Sequence, residues 1–234
     1  PFNFGVIGSS DTHVGGGSYT EETHFSKIGL LDGEPYLRGS VPFEGIYSLI
    51  ARLWQPDSIL EIDENNYLSF SPRLIRFGSS GLAGVWAEEN TRESIYNAFR
   101  RKETFGTSGP RIKVRFFAGY NFENSNLNDQ DLLQEAYSKN VPMGGDIIQE
   151  KGKNPRFLVW AISDPLGAPL QRVQIVKGWL ADGEQREKVF DVACSDGQSV
   201  NPLNHRCPDN GAKVNLDDCS ISREKGNAEI KTFW

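Results

Sequence analysis

Asp11 and His13 stand two positions apart at the end of "GVIGSSDTH", residues 5–13, where a run of small and apolar residues gives way to glycines. In an extended chain, residues i and i+2 project to the same side, so this carboxylate and this imidazole can aim at one point. An oxygen and a nitrogen donor held together suit a divalent cation of the zinc, manganese or iron type. Taken alone the pattern is short: Asp11 could equally form a turn while His13 hydrogen-bonds locally. Ser9 and Ser10 shape the turn rather than attack as nucleophiles, because the chain contains no Gly-x-Ser-x-Gly elbow.

Other residues able to do chemistry are more scattered. His24, in "EETHF", lies near enough in sequence to fold back over a metal site as a ligand or proton shuttle, or it is an exposed loop histidine. Gly15 to Gly17 with Ser18 could present backbone N–H groups to a phosphate, or simply lead the chain away from the strand. Glu88 and Glu89 precede a helix, where negative charge complements the dipole, and read as structural. Thr107 and Ser108 lie in a turn, and nothing in the sequence gives them a substrate contact.

The stretch "CSDGQSVNPLNHRCPDNGAKVNLDDC" brings Cys194, His205, Cys207 and Cys219 into one segment. A zinc site from these four is conceivable, yet the close Cys-x-x-Cys pairs of common zinc modules are missing. Disulfide bonding in an exported protein is the preferred expectation, with Cys207–Cys219 as the first pairing and one cysteine left over. On this reading the protein is periplasmic or secreted.

The elements that must position these groups follow from patterning. Residues 2–9 read as a buried strand ending in a glycine loop. Residues 15–80 are irregular, interrupted by prolines and glycines, with one short helix at "IYSLIARLW". In "GLAGVWAEENTRESIYNAFRRKETFGTSGPRI", a short strand over 82–87 precedes a helix over about 92–102, with Thr91 as N-cap and Ile95, Tyr96 and Phe99 on one face. The break at "GTSGP" is followed by strand-like text: "RIKVRFFA", "FLVWAIS", "QRVQIVKGWL" and "EKVFDVAC", with turns at "DPLGAP" and "ADGEQ". The Asn-rich "NFENSNLNDQD" reads as an exposed loop or a short polar helix.

A chain of 234 residues that is 38% hydrophobic is long enough for a buried core, as one large domain or two small ones. Its net charge of -6 argues against a nucleic-acid surface. The one dense basic run, Arg100 to Lys102, falls at the expected C-terminal end of a helix, where cations complement the dipole. No stretch has the apolar length of a membrane span or the layout of a signal peptide. Because Pro1 runs straight into an apolar segment and the text stops abruptly at Trp234, we expect a segment of a longer protein.

"GSSDTH" resembles the closing metal-binding motif, of Gly-Ser-Asp-x-His type, of the polymerase and histidinol phosphatase (PHP) superfamily of metal-dependent phosphoesterases. Together with "GLAGVWAEENTRESIYNAFRRKETFGTSGPRI" and "FLVWAISDPLGAPLQRVQIVKGWLADG", it is similar to the C-terminal half of a bacterial domain-of-unknown-function family allied to that superfamily, with carbaryl-hydrolase-like enzymes as nearer relatives. The resemblance implies an α/β plus all-β protein. Residues 1–109 would form the C-terminal part of a distorted (β/α)7 barrel, including the excursion at 15–80, and residues 110–234 an antiparallel β-rich domain.

It further implies Asp11 and His13 as metal ligands in a cluster of about two or three divalent ions that activates water against an ester or phosphoester. The superfamily's His-x-His pair does not occur in this chain, so its remaining ligands are expected on sequence upstream, and the 234-residue segment is expected to be inactive alone. The competing expectation, from another class, is a non-catalytic exported β-sandwich module that binds a glycan or a protein.

Overall fold

The computed structural model describes residues 4–9, 42–54, 60–62, 68–70, 81–122, 125–215, 218 and 220–234. The described residues form a mixed but mostly β fold. In chain order these are helix α1 (Gly45–Trp54), strands β1 (Leu60–Ile62), β2 (Leu68–Phe70) and β3 (Ala83–Val85), and helix α2 (Arg92–Arg100). Strands β4 (Thr104–Gly106) and β5 (Lys113–Gly119), helix α3 (Leu132–Lys139) and strands β6 (Val141–Pro142) and β7 (Arg156–Ile162) follow. The last elements are β8 (Arg172–Ala181), β9 (Glu184–Cys194) and β10 (Glu229–Phe233). The sheets for which a register is resolved are antiparallel, and no barrel closes among the described residues.

The chain divides into two compact units, one of residues 1–6, 85–104 and 110–234, the other of residues 7–84 and 105–109. The larger unit is organised by a four-stranded sheet in the order β10-β7-β5-β6. Alternation along β7 sends Leu158 to one face and Val159 and Ala161 to the other, which is why "FLVWAIS" is apolar throughout. On the first face Phe117, Phe122, Leu132, Ala136 and Leu158 form a core under α3. On the second, Val159, Ala161 and Ile230 pack against Leu170 and Val173. The β8–β9 hairpin turns on Asp182 and Gly183, both at positive φ, the backbone that a two-residue hairpin loop with right-handed strand twist requires.

In the smaller unit α1 packs over β1 and β2. Among the described residues Phe43, Ala51 and Leu68 are its buried apolar side chains, and the Phe43 N–H donates to the Leu68 carbonyl at 2.7 Å. Most of the apolar side chains of α1 remain exposed, from Ile46 to Trp54.

Several expectations are met. Helix α2 starts at Thr91, whose hydroxyl accepts from the Ser94 N–H, and its basic run ends the helix with Arg101 at the C-cap. Strands β5, β7, β8 and β9 fall on the four segments that read as strands.

Others are corrected. Residues 4–9 form no regular strand, and Phe4 and Val6 are 76% and 72% exposed, because no neighbour supplies a hydrogen-bonded ladder or an apolar cover among the described residues. In α2 the buried side chain is Ala98, while Tyr96 and Phe99 are exposed: the small residue permits the close approach, and the rings lie beside it. The Asn-rich loop is not wholly exposed, since Phe122 is fully buried and Leu127 packs on the same core. Helix α3 and strand β10 were not anticipated.

Candidate functional site

Asp11 and His13 lie outside the described residues, as do Ser10, Gly15 and His24. What the structure places is the approach to them. Gly8 runs against Gly106 so closely that a Cβ added at Gly8 would come within 2.9 Å of the Gly106 Cα, and one added at Gly106 would strike the backbone of Gly8. Further back, the Thr104 hydroxyl donates to the Val6 carbonyl at 2.8 Å. Val6 therefore meets Thr104 within the larger unit and Gly8 meets Gly106 within the smaller, where two glycines make the contact possible. Among the described residues, no group of three or more His, Cys, Asp or Glu side chains could hold a metal ion.

The cysteine segment is organised otherwise than expected. Cys194 is bonded to Cys207, with Cα atoms 5.6 Å apart, so Cys207 is not available to Cys219, which lies outside the described residues. The same bond removes two of the four ligands of the zinc alternative. The reason lies in the backbone around Cys207. Cys194 closes β9, and Asp191, three residues earlier, accepts from the Cys207 N–H at 2.6 Å, drawing that segment back onto the strand. Asp191 is fully enclosed, and burial would push its carboxyl up. The Cys207 N–H, the Gln174 amide and the charges of Arg172 and Arg206 outweigh this and hold it below the usual carboxylate range. His205 sets its ring edge-on to Phe190.

A cluster that sequence reasoning missed lies in the larger unit. Glu103, between α2 and β4, is 3% exposed. One carboxylate oxygen accepts from the Tyr137 hydroxyl and the other meets Arg101 at 3.3 Å. The Tyr137 oxygen in turn accepts from Arg115 Nη1 at 2.8 Å. Burial first, and the Glu103 hydrogen bond and charge second, push the Tyr137 phenol up to about 12, so it stays protonated as a donor at neutral pH. Arg115 lies 3.5 Å over the Trp86 ring, whose Nε1 donates to the Val114 carbonyl at 2.8 Å.

These residues, with Ala87, Glu88, Leu133 and Pro142, line a cavity of about 530 Å³. The only signal in the sequence is a short-range one, the run Arg100 to Glu103. The partners Trp86, Arg115 and Tyr137 are brought together by β-pairing and by the packing of α3 on β5, with Phe117 edge-on to Tyr137. A second hollow, of about 580 Å³, is lined by Phe116, Phe157, Ile175, Lys177 and Trp234, with the Phe116 and Phe157 rings stacked at 5.5 Å.

Residues 1–234, the whole chain, match the model of the family described as "Protein of unknown function (DUF3604)", and the chain belongs to that family. No curated protein and no solved structure matches it.

Proposed function

We propose that this chain is part of a metal-dependent hydrolase of the PHP type. Residues 1–109 would contribute the last elements of a distorted (β/α)7 barrel and residues 110–234 a β-rich C-terminal domain. The observation that carries the reading is "GSSDTH", in which Asp11 and His13 follow a segment whose glycine, Gly8, lies close against the backbone of Gly106. One carboxylate and one imidazole fit a divalent zinc, manganese or iron ion, but supply two of the four or more ligands such an ion needs.

Asp11 and His13 would hold the metals, and the remaining ligands, including a His-x-His pair, would come from elsewhere in a longer parent. When bound, such ions lower the pKa of a water and neutralise charge on the ester or phosphoryl oxygens. The substrate is a small-molecule ester or phosphoester. The Cys194–Cys207 disulfide supports an oxidising compartment, periplasmic or extracellular. No described helix is long and apolar enough to cross a membrane.

The test is hydrolysis of a phosphoester and carboxylester panel by the full-length parent beside its Asp11→Ala, His13→Ala variant. The reading expects turnover that chelation abolishes and that the double variant loses. Equal turnover by both proteins would refute the site.

The second reading, a glycan-binding module, is favoured by one observation. The hollow lined by Phe116, Phe157 and Trp234 gathers three aromatic side chains into one apolar wall, against which the C–H face of a sugar would pack. Metal-independent glycan binding lost on Trp234→Ala, in a parent without hydrolytic activity, would replace the first reading by the second.

A further inference from the structure

We propose that the cavity walled by Trp86, Arg101, Arg115 and Tyr137 is a binding site for a small organic monocarboxylate, anchored by the Arg115 guanidinium. The inference does not rest on the metal site. It follows from how the charges of the cavity are spent.

Glu103 is committed. Its two oxygens are engaged by Tyr137 and Arg101, which cancels the Arg101 charge inside the larger unit. Arg115 is held without being neutralised. A guanidinium carries five N–H donors, and among the described residues one of Arg115's is used, toward the neutral Tyr137 hydroxyl, while no carboxylate lies within ion-pair distance.

The acid nearest along the sheet does not fill that role. Arg115 faces Trp160 across the β5–β7 pairing, but Glu229 beside it accepts from Trp160 Nε1 at 2.7 Å and meets Lys231 at 3.5 Å. Trp86 beneath the guanidinium and Tyr137 at its edge fix its plane before any ligand arrives, so binding an oxyanion loses little side-chain entropy. A planar fork with unused donors matches a carboxylate in bidentate fashion.

The rest of the lining narrows the ligand class. With Glu103 offset by Arg101, Glu88 leaves one negative charge on the lining beside the Arg115 cation, which disfavours a phosphate dianion more than a monoanion. Ala87, Leu133 and Pro142 offer apolar walls for a hydrocarbon or aromatic body. An organic acid with one carboxylate and an apolar remainder satisfies both conditions, whereas inorganic phosphate has no apolar body for the walls and is partly dianionic at neutral pH.

The experiment is a calorimetric titration of the purified 234-residue chain with benzoate, and in parallel with inorganic phosphate and with benzylamine. We expect saturable binding of benzoate at one site, weaker binding of phosphate and none of benzylamine. Arg115→Gln should weaken benzoate by about tenfold or more, the loss of a charge-assisted bidentate contact. Because that variant also removes the stacking on Trp86, Ala87→Leu provides a second arm that occupies the cavity and leaves every charge in place. It too should weaken benzoate, while Arg223→Gln, on the exposed surface, should not. Absence of saturation by benzoate, tighter binding of phosphate than of benzoate, or retention of benzoate binding by both Arg115→Gln and Ala87→Leu would overturn the proposal.

Discussion

The two units differ in how they cover their apolar side chains. In the larger one, a central sheet has a core on each face, with Phe117, Phe122 and Leu158 fully buried on one and Val159, Ala161 and Ile230 enclosed on the other. In the smaller one, three buried apolar residues among those described link α1 to the β1–β2 pair, and α1 leaves Ile46, Leu49, Leu53 and Trp54 exposed. Long strands in register let each residue bury its neighbours' side chains as well as its own. Three-residue strands cannot do this, and the described parts of the two units should therefore unfold with unequal resistance.

The sharpest way to break that comparison is to apply one chemical change in both places. Phe117→Ala should destabilise the larger unit by about 3–5 kcal/mol, as expected for a fully enclosed ring, and Phe43→Ala should cost the protein less because fewer apolar side chains among the described residues pack around it. Urea titrations of both variants measure this. Equal losses would show that the smaller unit is as tightly packed as the larger.

Next in size is the disulfide. Its partners are 13 residues apart, so Cys194→Ser or reduction should lower stability by about 3 kcal/mol, with the loss confined to the larger unit. Thermal unfolding with and without reductant measures the effect, and peptide mapping should recover Cys194 linked to Cys207, leaving Cys219 outside that bond.

A smaller effect is expected at Asp164, which accepts from the N–H groups of Arg111 at 2.7 Å and Leu166 at 2.9 Å and so ties the end of β7 to the start of β5. Those backbone hydrogen bonds hold its carboxyl below the usual value. A group depressed on folding stabilises the folded state fully above its unfolded pKa of about 3.9 and loses that contribution as pH falls through the lower folded value. Asp164→Asn should cost about 1–3 kcal/mol at neutral pH and flatten the acid limb of the stability profile. An unaltered acid limb would contradict the assignment. The smallest change is Thr91→Ala, which removes the N-cap of α2 at about 1 kcal/mol, measured by urea unfolding.

The same contrast explains what could be read from the sequence. Helix α2 carries its own cap at Thr91, and the β8–β9 hairpin carries Asp182-Gly183 between alternating segments, so local chemistry names both. Strand β10 has no such marks. "EIKTF" is short, and what makes it a strand is its partner β7, nearly seventy residues earlier, with Ile230 opposite Ala161. Helix α3 follows an Asn-rich loop and lacks a side-chain cap, and it is held by Leu132 and Ala136 packing on the sheet.

The cysteines illustrate the same limit. Cys207 is separated by 13 residues from Cys194 and by 12 from Cys219, spacings that cannot distinguish the two partners. The choice is made by Asp191 and its hydrogen bond to the Cys207 N–H. The Glu103–Tyr137–Arg115 cluster was hidden for the same reason, because its members meet only once α3 lies on β5. At Asp11 and His13 the sequence supplies a motif, and the described residues supply the glycine contact that precedes it.

The central claim concerns those two residues, and metal content tests it most directly. Elemental analysis of the full-length parent, purified without added metal, should find about two or three equivalents of zinc, manganese or iron, with a marked loss in the Asp11→Ala, His13→Ala variant at unchanged secondary structure. Metal content that is the same in the variant as in the natural protein would contradict the account.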